Sequence, residues 1–368
     1  MKTLRRLIYG EILNAVAFVT LGFLSLFFFF DFVEEIQSVA RHAAAGYSLG
    51  PALAYVTLMI PSHLYELLPI AVLIGTIFVM ARLAQSSEYT ILRTSGLGPW
   101  RALKTLLMLG LGFVVLTFAI GDYISPLADR TGQLLKARYQ GHITVGQTGA
   151  WLKERQRHSQ YAVNVSALES NGNMRGVRMF EFDSQGFLMS MLQAETASYG
   201  EDDSWSLKQV ERTEFPARGI DTARIERTHM DTFRWPNQIS AEMVSAALLK
   251  PERMSTIDLF QYIRHLDANG QSAQRYEIEF WKKVFYPLSC LVMVVLALPF
   301  AYLHFRSGGI ATYVFGGVMA GISFFLLNNV FGYIGNLQNW QPWLTAALPG
   351  MIYSVLSLTA FGWLVLRR

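Results

Sequence analysis

The sequence predicts an α-helical polytopic membrane protein of six transmembrane helices, interrupted once by an inserted all-β domain. Three observations carry this reading. The chain of 368 residues is 52% apolar and 16% charged, and its mean hydropathy is +0.28, too apolar for an ordinary soluble protein. The apolar residues gather into six runs, each long enough to supply the ~20 residues with which a helix crosses a hydrocarbon core. The charged residues crowd instead between about Arg130 and Glu279, where short alternating segments replace the long runs.

The runs lie near Ile12–Phe32, Ala52–Ala81, Trp100–Tyr123, Val284–Leu303, Ile310–Ile334 and Trp343–Leu366. Backbone groups in lipid find no water, so each run must satisfy itself as a helix. Lys2, Arg5 and Arg6 precede the first run, which is long enough to span and lacks a small-residue cleavage site; it reads as a retained span rather than a signal peptide. The second carries Pro61 and Pro69 with Ser62, His63, Tyr65 and Glu66 between them, which predicts a kinked helix with one polar side. His63 and Glu66, three apart, share a face. An ionisable residue at that depth faces a cavity, a partner or the interface, so the pair reads as a proton or ion site or, alternatively, as a satisfied pair lining a cavity.

Between the second and third runs, Arg82 to Gly98 reads RLAQSSEYTILRTSGLG. Leu83, Ser87, Ile91 and Leu92 can share one helical face, Gln85, Glu88 and Arg93 point elsewhere, and Ser95-Gly96 supplies a stop. The segment, near residues 83–97, reads as a short helix lying on the membrane surface, with a solvated loop as the alternative. In the fifth run Gly317 and Gly321 have the Gly-x-x-x-Gly spacing that lets a second helix approach closely.

The insertion begins as a helical continuation from Pro126 to Tyr139 and then changes period. Tyr161 to Val165, Arg178 to Phe182, Phe187 to Met191 and Ser204 to Lys208 read as strands, with turn signals at Asn171-Gly172-Asn173 and Glu201-Asp202-Asp203. Short strands at this spacing predict an antiparallel sandwich or roll. Ser255 and Asp258 then form a capping-box start for a helix carrying Ile257, Phe260, Ile263 and Leu266, which Gly270 ends. The domain boundaries are therefore 1–129 for three spans and the surface helix, 130–254 for the β-domain, and 255–368 for a connecting helix and three further spans.

Orientation follows from the short loops. Lys2, Arg5, Arg6, Arg82, Arg93, Arg101, Lys104, Arg306, Arg367 and Arg368 fall on one side, which makes both termini cytoplasmic and puts the insertion across the membrane. Arg41, Arg275, Lys282 and Lys283 break this rule at the far ends of spans one and four, beside Trp281. Either an anionic ligand receives them, or Asp31, Glu34, Glu35, Glu277 and Glu279 neutralise them. The net charge of +4 forms no basic stripe with interleaved aromatics, so no nucleic-acid partner is expected. The single cysteine, Cys290, lies in an apolar run and excludes an intrachain disulfide. Phosphate-loop, His-Glu-x-x-His and Gly-x-Ser-x-Gly patterns are all missing, so the chain has no catalytic set of its own.

The surface segment, with Ser87 and Glu88 before an apolar turn and a Ser-Gly end, resembles the cytoplasmic coupling helix of the lipopolysaccharide export permeases, the LptF/LptG family. Ala119-Ile120-Gly121-Asp122-Tyr123-Ile124-Ser125-Pro126 ends a span in that family's manner. Gly270-Gln271, Arg275-Tyr276, Trp281, Lys283, Phe285 and Pro287-Leu288-Ser289 open the next as in its LptG branch, so the resemblance covers nearly the whole chain. It implies a multi-pass protein of the bacterial inner membrane with a β-jellyroll-like periplasmic domain. The implied role is that of a non-catalytic permease subunit of an ABC transporter, which extracts lipopolysaccharide and passes it to a periplasmic bridge. The implied partners are an LptF-like permease, two copies of the LptB ATPase, which bind ATP and Mg, together with LptC and LptA. Ser87, Glu88, Tyr89, Leu92, Arg93 and Gly96 would couple to the ATPase. Arg41, Arg275, Lys282 and Lys283, with Glu66 and His63, would meet the lipopolysaccharide, and Gly317 and Gly321 would pack a gate, since the first and fifth spans of the family close against the partner subunit. The rival is a proton-coupled secondary transporter using Glu66 and His63; no internal repeat of broken spans supports it.

Overall fold

A computed structural model of the chain describes residues 2–86, 88–94, 96, 98–140, 150–155, 159–169, 172–200, 204–216, 225–236, 244, 251–302 and 310–363. Two compact units emerge. One holds Met1–Glu34, Val56–Ala128 and Glu277–Arg368; the other holds Glu35–Tyr55 and Asp129–Tyr276.

The first unit is the helical bundle, and among the described residues six helices are long and apolar enough to cross a membrane. They begin with α1 (Lys2–His42) and α2 (Leu49–Gln85), which stays helical through Pro61 and Pro69. The short α3 (Glu88–Thr94) follows. The third span is α4 (Pro99–Ala119), a π-helical turn at Ile120–Ile124, and α5 (Ser125–Gln140). After the insertion come α7 (Gln274–Phe285), α8 (Ser289–Ala297), α9 (Ile310–Leu337) and α10 (Pro342–Phe361).

The fourth span departs from the single run expected at Val284–Leu303. It starts earlier, in α7, and is broken into 3-10 turns at Tyr286–Leu288 and Leu298–Tyr302. Pro287 and Pro299 are the cause: a proline has no N–H for the helical ladder, and the Ser289 hydroxyl donates to the Tyr286 carbonyl at 2.5 Å. The apolar core of the bundle is centred on α2. Leu73, Ile77 and Met80 are buried among Ile12 of α1, Leu106 of α4, and Met293 and Val294 of α8. The most apolar stretches of α1 and α9 remain largely exposed, as lipid-facing helices would be.

The second unit contains a six-stranded antiparallel sheet of β1 (Ala150–Arg155), β2 (Gln160–Leu168), β3 (Met174–Phe182), β4 (Leu188–Tyr199), β5 (Ser204–Glu214) and β6 (Glu226–Pro236). Each strand pairs with its neighbours in chain order. One face carries a row of apolar partners, Val165, Val177, Ala194, Val210 and Met230, in direct register. The sheet is strongly curled. Tyr161 on β2 and Trp235 on β6 bring their ring centroids to 5.9 Å, although a flat sheet would hold those strands roughly 19 Å apart at ~4.8 Å per strand. Positive-φ residues Gly176 and Gln209, and a register shift at Glu181/Phe182, add the local twist that curling needs.

The insertion is thus all-β and rolled, as expected. Its described connectivity is a meander, without the crossovers of a full jellyroll, because successive strands are joined by links short enough for hairpins. Strands β1 and β6 escaped the sequence reading. β6 is an edge strand, exposed along most of its length, so it has no apolar alternation to betray it. The connecting helix α6 (Thr256–Ala268) has the anticipated capping box: the Asp258 N–H donates to Ser255 Oγ at 3.1 Å and the Ser255 N–H to Asp258 Oδ2 at 3.3 Å. Gly270, at φ +63°, follows its end. Its buried face is Leu259, Tyr262 and Leu266, while Ile257 and Phe260 are exposed.

Candidate functional site

The segment predicted to lie on the membrane surface is built from the end of α2 onward. Ser86 turns its hydroxyl back to the Arg82 carbonyl at 3.1 Å, and Arg82 pairs with Glu11 of α1 at 2.6 Å. Helix α3 then opens on Glu88, which is exposed and sits where a carboxylate suits the positive end of a helix. Tyr89 turns the other way: it is 3% exposed, and its ring meets Tyr302 edge-on at 5.2 Å. Ile91 is 62% exposed. The Thr94 hydroxyl donates to the Ile91 carbonyl at 2.9 Å. Gly96 follows at φ +102°, a conformation that favours glycine, and its carbonyl accepts from Arg101 Nη1 at 2.9 Å.

Among the described side chains of α3, Tyr89 is the buried anchor, and Glu88 and Ile91 are shown to the surroundings. The apolar face anticipated from spacing is corrected accordingly. Leu83 is buried but belongs to α2, Ile91 points out, and Tyr89 makes the contact that holds the helix. An aromatic residue in the otherwise polar Ser-Ser-Glu-Tyr-Thr run was the available signal. Ser87 lies outside the described residues; Leu92 and Arg93 lie within α3, with side chains outside the described set.

Within the first unit the span-end charges take separate partners. His63 Nε2 lies 2.6 Å from Asp31 Oδ2, joining α2 to α1, and Phe27 stacks on the imidazole at 5.0 Å. The backbone carbonyl of Glu66 accepts the Tyr286 hydroxyl at 2.5 Å. Lys282 pairs with Glu279 at 2.7 Å, and its Nζ lies where Gly332 of α9 leaves room. Lys283 is buried and donates to the Gly121 carbonyl at 2.8 Å.

In the other unit Arg275 pairs with Glu252 at 3.0 Å, and Arg41 Nε donates to the Gln37 carbonyl at 3.3 Å. Glu35, one of the carboxylates that could have met Arg41, instead accepts from Lys136 at 2.8 Å and from the Tyr47 hydroxyl at 2.9 Å. Burial and this neighbouring carboxylate raise the Tyr47 phenol above its ordinary pKa. Carboxylates and carbonyls on the chain itself thus already engage much of the excess positive charge.

Gly317 and Gly321 seat α9 on α2. A Cβ at Gly317 would lie 2.7 Å from Ile77 Cδ1, and one at Gly321 2.7 Å from Ile70 Cγ2. The glycine pair is thus used within the chain, whereas Phe315, Met319, Ile322, Leu326 and Val330 of α9 are exposed. Among the described residues no group of three or more His, Cys, Asp or Glu side chains is placed to hold a metal ion.

The family model for the lipopolysaccharide export system permease LptF/LptG matches residues 6–366. The lipopolysaccharide export system permease protein LptG of Haemophilus influenzae is 27% identical over 371 residues, covering 100% of this chain and 99% of the relative. The protein of the same name from Escherichia coli K12 is 25% identical over 368 residues, covering 99% and 98%.

Proposed function

The chain belongs to the LptF/LptG family of lipopolysaccharide export permeases, and from that premise we propose that it works as an LptG-like subunit driven by an ATPase through α3. Membership makes it a lipopolysaccharide export permease subunit, a non-catalytic multi-pass protein of the inner membrane. Such a subunit must receive its energy from elsewhere. The observation that carries the coupling proposal is the geometry of α3, in which, among the described side chains, Tyr89 is buried against Tyr302 while Glu88 and Ile91 are presented outward.

In this reading two LptB subunits bind ATP and Mg, and a groove on one of them receives α3, with an arginine opposite Glu88. Ser87, Leu92 and Arg93 are proposed as further coupling residues, and Gly96 ends the segment. An LptF-like permease completes the membrane pair, and LptC and LptA accept the lipid. Both termini are cytoplasmic and the β-domain is periplasmic, supported by the distribution of Lys and Arg in the short loops.

Lys282 in one unit, and Arg41 and Arg275 in the other, are separate candidate contacts for lipid phosphates, which would compete with the partners described above. Charge-assisted contacts of Arg or Lys with phosphate are strong enough for that competition. His63 and Glu66 are assigned to the lining of the second span. The proton-coupled alternative built on them is not favoured by the family assignment.

Glu88→Ala tests the coupling. Truncating one partner of a desolvated charge pair costs about 2–5 kcal/mol, so the variant should lose copurifying ATPase or hydrolyse ATP without releasing lipopolysaccharide, with its spans intact. Wild-type assembly, hydrolysis and export would refute the docking role.

A further inference from the structure

The third span changes register at Ile120–Ile124, where α4 passes through the π-helical turn into α5. There the Ser125 N–H donates to the carbonyl of Ile120, five residues back instead of the usual four. In the same register the Gly121 carbonyl would take its hydrogen from position 126, but Pro126 has no N–H to give. With Ser125 already committed, the helix supplies no donor to Gly121. An unsatisfied carbonyl is costly inside a membrane, where water cannot replace the missing partner.

Lys283 fills this gap from the fourth span. Its Nζ donates to the Gly121 oxygen at 2.8 Å, and the residue is only 7% exposed. The surroundings are built for close approach. The ring of Tyr65 occupies the place a Cβ on Gly121 would take, and Lys283 Nζ stands 5.7 Å from the centroid of that ring. Tyr65 in turn packs on Tyr286 at 5.1 Å, and Tyr286 donates to the Glu66 carbonyl of α2. Ser62 and Ser125 share a hydroxyl hydrogen bond of 2.7 Å. The second, third and fourth spans meet at this point. Lys282, the next residue back, points roughly 100° around the helix and goes to Glu279 instead.

We propose that Lys283 is a positioning residue: it serves the Gly121 carbonyl that the π turn and Pro126 leave without a donor, and so holds three spans in register for lipid extraction. The charge of Lys283 is spent inside the protein and is not a contact for a lipid phosphate. This inference rests on the permease reading for its link to extraction, but the hydrogen bond can be tested separately.

The test is a rescue in the full complex, reconstituted in liposomes with lipopolysaccharide. Lys283→Met keeps the apolar stem and removes the donor; ATP-driven release should fall at least ~5-fold, since a buried acceptor loses its partner. Pro126→Ala restores an N–H one turn from Gly121, so Lys283→Met with Pro126→Ala should return to within ~2-fold of Pro126→Ala alone. If Lys283→Met does not assemble, the yield of intact complex on size exclusion becomes the readout, and Pro126→Ala should restore it. A lysine that binds phosphate would be lost in both backgrounds, so failure of the rescue overturns the proposal, as does a fully active Lys283→Met. A wild-type complex that moves no lipopolysaccharide with ATP would refute the permease reading instead, leaving the assembly rescue to decide the role of Lys283.

Discussion

Tyr89→Ala isolates the attachment of α3 from the folding of the spans. The tyrosine is 3% exposed and its ring meets Tyr302 at 5.2 Å. Removing a buried aromatic side chain costs about 3–5 kcal/mol, of which the edge-on pair accounts for ~0.5–1.5. Helix α3 has only seven residues, and isolated helices shorter than ~12–15 residues are marginal in water. Little else is described that would hold it: Arg101 binds the Gly96 carbonyl beyond its end. The loss should therefore fall on α3, while α2 keeps Leu73, Ile77 and Met80 buried in the bundle.

Hydrogen exchange on the purified protein reads this directly. Amides of α3 should lose protection by roughly 100-fold or reach the unprotected limit, whereas amides in α2 and α4 should stay as they were. Tyr89→Phe keeps the ring and should behave like the parent. The same Tyr89→Ala protein should fail to retain the ATPase, even though Glu88 is untouched. Unchanged exchange in α3, or an equal rise across the neighbouring spans, would refute the single-anchor argument.

Gly321→Val should force α9 away from Ile70, with overpacking of ~1–3 kcal/mol seen as a lower thermal midpoint in detergent; Ile70→Ala in the same chain should recover part of it, and no recovery would separate Gly321 from that contact. A cysteine at Asn171 should react with an impermeant thiol reagent added from the periplasmic side of intact cells, and labelling only after the inner membrane is broken would reverse the orientation. His265 of α6 has its pKa lowered by burial from the ordinary 6.5. Its contribution to stability is complete above that value and is lost as the pH falls below it, because the unfolded chain then binds the proton first. Protection of α6 amides should therefore drop as the pH falls below about 6.5, and His265→Gln should flatten the change.

Properties carried by neighbouring residues were legible in the sequence. Six helices follow from run length, because a hydrocarbon core demands a continuous apolar surface and internal hydrogen bonding. The strand segments around Tyr161, Arg178 and Ser204 follow from alternation, and the start of α6 from Ser255 and Asp258. Edge strand β6 was hidden because it buries too little to alternate.

Partnerships across the chain were decided only by tertiary packing. The sequence marks Lys283 as a cation out of place and lets the helix run on from Pro126, but does not say that Lys283 answers the Gly121 carbonyl across 162 residues. It offers Asp31 and Glu35 as neighbours for Arg41, whereas the fold gives Asp31 to His63 and Glu35 to Lys136 and Tyr47. It marks Gly317 and Gly321 as a close-approach motif without saying that α2 of the same chain fills the space. The reason is physical: helix and strand periods are written in the next few residues, but a charge or a small residue acquires its role from whichever side chain packing brings within about 3–4 Å.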